Sequence, residues 1–394
     1  MNLSSVALMD LRIRPQTSPV EISAAELWKL QIPLGRAIGH FQAKRNNSDN
    51  LVAHVVSKAG VDGFGEAVPR EYVTGETLST ATAAARHLLE RFKGKRWETV
   101  GALLNDLEKL DRDPRMLDHP SARCAVELAL LDCAGKTWGI SVADMLGGSC
   151  RDSVEYSAVI PFEEPGTLDT ILDMVKTQKV RSVKVKVGRS QDLETVESVR
   201  QKLGEGISLR LDANGAWSSR DAIEKLKALE VYEIDAIEQP VSKEDWQGLR
   251  EVSESVSIRV IADESMVSLE DARGLIAAGA CGGLNLRISK CGGLLSARRI
   301  YRFARASGIP CQMGCQVGET GILSAAGRHF AARIPDLLFA EGSFNRYILS
   351  EDIVEEDLTF GISGYAPVLK SPGLGITISQ TRVQEYSQDR ISCF

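Results

Sequence analysis

Through the middle of the chain, short runs rich in apolar residues, several alternating apolar with polar, repeat at a nearly fixed interval. They read VKVKVG, LRLDANG, IDAIEQP, VIADES and LNLRISK. Alternation of this kind is the period of a strand with one face in a core. Each run ends in a charged side chain, and Lys186, Asp212, Glu238, Asp263 and Arg287 follow one another by 26, 26, 25 and 24 residues. One strand, one helix and two loops fill roughly that interval, so the repeat predicts a parallel β/α barrel. The C-terminal strand ends of such a barrel meet at one mouth, and the charges are expected to converge there.

The rhythm is predicted to run from about residue 150 to 350. VEYSAVIP reads as its first strand and KVRSVKVKVG as its second, with GIPCQMGCQ and LLFAEGS as later ones. Helix starts between strands are marked by three capping-box pairs, Ser218 with Asp221, Ser242 with Asp245, and Ser268 with Asp271. Residues 1–140 do not follow the period. NLVAHVVSKAGVDGFGEAVP predicts strands around a Gly-rich turn, and LSTATAAARHLLERF, TVGALLNDLEKL and SARCAVELALLDCAGKTWG repeat apolar residues at helical spacing. This predicts an α+β domain ahead of the barrel. Residues 351–394, with GYAPVLKSPGLGITI, read as extended segments joined by turns that pack back on the first domain.

Composition narrows the partners. The 394 residues hold 53 acidic against 47 basic side chains, a formal charge of −6 without long blocks of one sign. That balance points away from nucleic acid and anionic membranes and toward a small molecule. MNLSSVALMDLRIR has no basic segment followed by an apolar one, and no run of about 18 apolar residues occurs, so a cytoplasmic protein is expected. Eight cysteines are too sparse for a disulfide framework. Cys311 and Cys315 lack the second ligand pair that structural zinc needs.

The chemistry lies in the strand ends. Lys184 and Lys186 are two apart and share a face, as do Asp212 and Asn214. Asp212, Glu238 and Asp263 at successive strand ends repel one another unless a cation neutralises them. An oxygen-only donor set suits Mg²⁺, or Mn²⁺. A metal so held leaves positions for a substrate carboxylate, and a lysine on the next strand can reach the carbon beside it. The reaction implied is removal of the α-proton to an enediolate, whose second negative charge a fixed cation stabilises. Lys184 and a divalent ion would lower the pKa of Lys186 toward neutrality, making it a base.

The KVK pair, LDANGAW, IEQP, ADES and LNLRISKCGG, in this order, resemble the muconate lactonizing subgroup of the enolase superfamily. GFGEAVPREYVTGET and ARCAVELALLDCAGK are similar to its N-terminal segment and SPGLGI to its tail, so the resemblance spans nearly the whole chain. It implies a modified TIM barrel, (β/α)7β, under an N-terminal α+β capping domain. It further implies Asp212, Glu238 and Asp263 as Mg²⁺ ligands, Lys186 as the base tuned by Lys184, and a symmetric homo-oligomer.

The chain departs from that pattern on its sixth barrel strand. The subgroup carries Asn-x-Lys there, its lysine serving the opposite face of the substrate, where this chain has Asn285, Leu286 and Arg287. Arginine stays protonated and has no acceptor, so it orients or stabilises an anion but is a poor base. Lys290 is the alternative second base; otherwise it is a loop residue in a solvent-side ion pair. Glu341-Gly342-Ser343 stands where dipeptide epimerases resemble one another in Asp-x-Asp, which disfavours a substrate ammonium, and CQMGCQVGE lacks the histidine of the mandelate racemase branch. Glu319 is a further candidate substrate contact beside Asn214. The stretch GRAIGHFQAKR, residues 35–45, is expected as a lid over the mouth, with His40, Lys44 and Arg45 as contacts.

The leading expectation is therefore a Mg²⁺-dependent isomerase or lyase that handles the α-proton of a carboxylate from one face, as a cycloisomerase or syn-dehydratase. The alternative is a racemase or epimerase using Lys290 or Arg287 as second base. A reading from another class is a barrel that keeps its metal as a structural element only.

Overall fold

The structure is a computed structural model and describes residues 18–39, 44–162 and 165–394. The alternating stretch near the N-terminus folds into three antiparallel strands, β1 (Val20–Gly39), β2 (Lys44–Ser57) and β3 (Asp62–Ala67), with β4 (Arg96–Trp97) paired to the start of β1. Behind β3 lies the helix Pro120–Trp138, buried on nearly every side. The close approach depends on Gly65, because a Cβ there would strike the backbone of Ala125 and Ala129.

A short strand β5 (Ser153–Glu155) precedes the barrel. The barrel strands are β6 (Ala158–Ile160), β7 (Ser182–Lys186), β8 (Ser208–Asp212), β9 (Ala236–Glu238), β10 (Arg259–Ala262), β11 (Gly283–Arg287) and β12 (Cys311–Gly314). They form one parallel sheet in strict sequence order. The LLFAEGS segment closes the ring. Met313 N–H donates to Phe339 O (2.9 Å) and Glu341 N–H to Met313 O (2.8 Å), while on the other side Ser157 N–H donates to Ala340 O (2.8 Å). The fold is thus a modified TIM barrel behind an N-terminal α+β domain.

VEYSAVIP is two strands rather than the one expected. Its first half, β5, turns away from the barrel to pair with β13 (Tyr365–Pro367), and only β6 joins the barrel sheet. The last strand, β14 (Ser387–Ser392), runs antiparallel to β1.

One of the three expected capping boxes forms in full, at Ser268 and Asp271, and a second forms by half, Ser218 capping without a return bond from Asp221. Ser218 accepts from the Asp221 N–H and Ser268 from the Asp271 N–H, capping Ser219–Leu229 and Leu269–Ala277. Ser242 is not a cap: its hydroxyl donates to Glu244, and Asp245 itself caps Trp246–Ser255 by accepting from the Gly248 N–H. The helix starts later than the Ser-x-x-Asp spacing suggests, because Asp is itself a strong N-cap.

Carboxylates of the N-terminal domain cap two barrel helices. Glu127 Oε1 accepts from the N–H groups of Leu294 (2.5 Å) and Leu295 (3.1 Å), at the start of Leu294–Ala306, whose N-cap Gly293 has no side chain for the task. Glu66, on β3, accepts from the N–H groups of Thr320 and Leu323 and from the Thr320 hydroxyl, at the start of Gly321–Arg333. Both carboxylates are buried. Burial pushes the Glu66 carboxyl up to about 7 and that of Glu127 up to about 8, against the pull of the amides that bind them.

Candidate active site

Parallel register sets the first row of the site. Lys186 on β7 is paired with Asp212 on β8, and Asp212 with Glu238 on β9, so the three stand side by side at the C-terminal strand ends. Asp263 follows the end of β10 directly, and Arg287 ends β11. Asp212, Glu238, Asp263 and Arg287 are all buried.

The two lysines differ in access and partners. Lys184 Nζ is enclosed by Asp212 Oδ2 (3.1 Å), Glu238 Oε1 (3.3 Å) and Glu341 Oε2 (2.7 Å). Burial alone would lower its pKa; the carboxylates of Asp212, Glu238 and Glu341 instead raise it well above the ordinary lysine value. Lys184 is therefore a fixed cation. Lys186 Nζ donates to Asp212 Oδ2 (2.6 Å) and to Asn214 Oδ1 (2.5 Å), and its side chain is 13 % exposed against 4 % for Lys184. Asp212 is held well below the carboxylate range, where the attraction of both lysines outweighs burial. Asn214 has a left-handed backbone (φ 45°), and its amide nitrogen donates to Glu264 Oε1 (3.1 Å) while its oxygen receives Lys186. This residue, expected as a substrate contact, also brackets Lys186.

Arg287 reaches inward. Its Nη2 lies against Asp263 Oδ2 in an ion pair, 3.3 Å from Glu264 Oε1 and 3.6 Å from Glu238 Oε1, while Nη1 donates to Gln316 Oε1 (3.1 Å). Lys290 is not the solvent-side loop residue of the bland expectation. The chain coils into a one-turn helix, Ile288–Cys291, straight after β11, and this folds Lys290 into the interior. Its Nζ donates to Asp263 Oδ1 (2.7 Å), Asp263 O (2.7 Å) and Asn285 O (3.0 Å). Burial lowers its pKa to about 8.

A deeper set of polar groups braces the first row. Asn285 donates to Glu238 Oε1 (3.0 Å) and Gln312 to Glu238 Oε2 (2.5 Å), while Arg210 donates to Gln312 Oε1 (2.8 Å) and to Glu341 Oε1 (2.9 Å). Sequence reasoning assigned no place at the site to Arg210, Gln312, Glu264 or this use of Glu341. The signal was present for Arg210, which lies two positions before Asp212 on the same strand face. Glu264 is buried beside Asp263, and burial pushes its carboxyl up to about 7.

Glu319 lies beside Gln316, whose side chain receives Arg287. Glu319 Oε1 accepts from the Gln316 backbone N–H, and burial drives its pKa up to about 8. The expected lid is the end of the β1–β2 hairpin, with Ile38 paired to Arg45 and Gly39 to Lys44. Its tip, residues 40–43 with the candidate contact His40, lies outside the described residues.

The donor set fits a hard divalent cation in kind: three buried carboxylates on neighbouring strand ends, with no histidine or cysteine among them. Among the described residues no three acidic, His or Cys side chains stand ready to hold an ion as placed. The Arg287 guanidinium lies among them instead.

With this geometry in hand, comparison with known proteins is specific. Residues 7–147 match the family model for the mandelate racemase / muconate lactonizing enzyme N-terminal domain, and residues 167–382 match the enolase C-terminal domain-like model. A hydrophobic dipeptide epimerase of Enterococcus faecalis is 30 % identical over 321 residues, covering 79 % of this chain and 86 % of that protein. Muconate cycloisomerase 1 of Rhodococcus opacus is 28 % identical over 379 residues, 94 % of this chain and 99 % of the relative. The crystal structure of a dipeptide epimerase from Cytophaga hutchinsonii, complexed with Mg and the dipeptide D-Ala-L-Val, superposes with a TM-score of 0.86 at 26 % identity, covering 95 % of this chain and all of that one.

Proposed function

The chain belongs to the mandelate racemase / muconate lactonizing enzyme family, an enzyme of the enolase superfamily, and from that premise we propose that it removes and returns the α-proton of a small carboxylate substrate, with Lys186 as the acid/base. The observation that carries this reading is the contrast between the lysines: Lys184 is locked among three carboxylates, while Lys186 is aimed by Asp212 and Asn214 and remains reachable from the mouth. The expectation of a purely structural barrel drops away with membership of an enzyme family.

Asp212, Glu238 and Asp263 would hold Mg²⁺, the metal named with the Cytophaga structure. Bound there, it would supply electrostatic stabilisation for the negative charge that builds on the substrate carboxylate as its α-proton leaves. The chain's own part is to keep Lys184 charged, to orient Lys186, and to brace Glu238 through Asn285 and Gln312.

Two outcomes of this chemistry remain in play, each with an observation behind it. Geometry favours reaction on one face, as in a cycloisomerase or dehydratase: Lys290 is tied to Asp263 and Asn285, and the guanidinium of Arg287 offers donors but no acceptor. The relatives favour the racemase or epimerase reading: those of high similarity include dipeptide epimerases and an N-succinyl-L-Arg/Lys racemase, beside the muconate cycloisomerase of R. opacus. In D₂O, one-face chemistry predicts α-hydrogen exchange from one enantiomer of a turned-over carboxylate. Exchange from both at comparable rates, with Lys186→Ala stopping only one, establishes the epimerase reading.

A further inference from the structure

The position of Arg287 is unusual for a guanidinium. Arginine binds carboxylates through its planar fork, two nitrogens to two oxygens. Here a single nitrogen, Nη2, faces carboxylate oxygens of Asp263, Glu264 and Glu238 together. That is how a point charge is surrounded. The hydrogen bonding is correspondingly incomplete: among the described residues, Arg287 Nε and Glu264 Oε2 are buried with no hydrogen-bond partner. Two of the three carboxylates that Nη2 faces, Glu238 and Asp263, belong to the proposed metal set.

We infer that Arg287 is the resident cation of the carboxylate cage in the metal-free protein, and that a divalent ion binds by displacing its guanidinium. The inference rests on the proposed metal site and adds a competitor built into the chain. Metal entry must break the Arg287 contacts to Asp263, Glu264 and Glu238, so the native side chain weakens metal binding while it keeps the empty cage from repelling itself. Removing the guanidinium leaves the cage one charge more negative and open, and both effects raise divalent affinity.

The test is Mn²⁺ binding to the full chain, stripped with chelator, measured by titration calorimetry and by loss of the free Mn²⁺ electron paramagnetic resonance signal. The variants are R287M and R287Q, the second keeping a hydrogen-bonding head without the charge. Both are expected to bind Mn²⁺ at least tenfold more tightly than wild type. Their metal-free forms are expected to melt below wild type and to gain more from added Mn²⁺. If a variant does not fold without metal, refolding it in Mn²⁺ and stripping it by dialysis against graded chelator reads the same affinity. Equal or weaker binding by both variants overturns the inference and leaves the metal site standing. Absence of Mn²⁺ binding in every form overturns both.

Discussion

Lys186 is aimed rather than merely present: Asp212 Oδ2 and Asn214 Oδ1 fix its ammonium from two sides. Replacing it with Met should leave the melting temperature within a few degrees and lower kcat by roughly 10²- to 10⁴-fold, the worth of a positioned acid/base. Turnover within tenfold of wild type would remove Lys186 from the role. Residues of this kind were legible because two periods agree on them. The βα interval fixes where each strand ends, and alternation fixes which side chains there look inward. Lys290 was not legible, since its burial depends on a one-turn helix immediately after β11 that no spacing announces. Glu264 escaped notice because Asp263, the first charge after the apolar run that forms β10, already fills the strand-end position, and its neighbour was passed over. Arg287 was legible as a departure from its relatives, but its reach into the carboxylates is a property of side-chain length and local charge, visible only in three dimensions.

Among the elements, the barrel strands form where the repeating runs place them, and the departure comes at VEYSAVIP, before the regular interval begins. VEYSAVIP divides between two sheets because neither half has enough pattern to name its partner. Helix starts behave similarly: an Ser-x-x-Asp spacing does not say whether Ser or Asp is the cap. The structure separates the cases, and mutation checks them. Ser268→Ala and Asp245→Ala should each cost about 1 kcal/mol of unfolding free energy, the usual worth of an N-cap, whereas Ser242→Ala should cost less than about 0.5 kcal/mol. Chemical denaturation of the three variants measures this, and an equal loss for Ser242→Ala and Asp245→Ala would restore Ser242 as a cap.

At the scale of the whole molecule, the two domains are joined by carboxyl groups placed where helices begin. Glu66 and Glu127 come from the N-terminal domain, yet each completes the N-terminus of a barrel helix. The arrangement favours a carboxylate electrostatically, but burial dominates and raises both pKa values above the ordinary 4.5, to about 7 and about 8. A carboxyl that binds its proton more tightly when folded stabilises the fold fully below its unfolded pKa. That contribution is lost as pH rises through the folded value. Wild-type stability from these two groups should therefore decline between about pH 4.5 and 8, each contributing a slope of at most about 1.4 kcal/mol per pH unit. Glu127→Gln keeps an acceptor for the Leu294 and Leu295 amides while removing the titration, so its metal-free denaturation midpoints should vary less with pH over this range. If the wild-type slope persists unchanged in both Glu127→Gln and Glu66→Gln, the domain junction does not titrate and its burial is offset by the amides it caps.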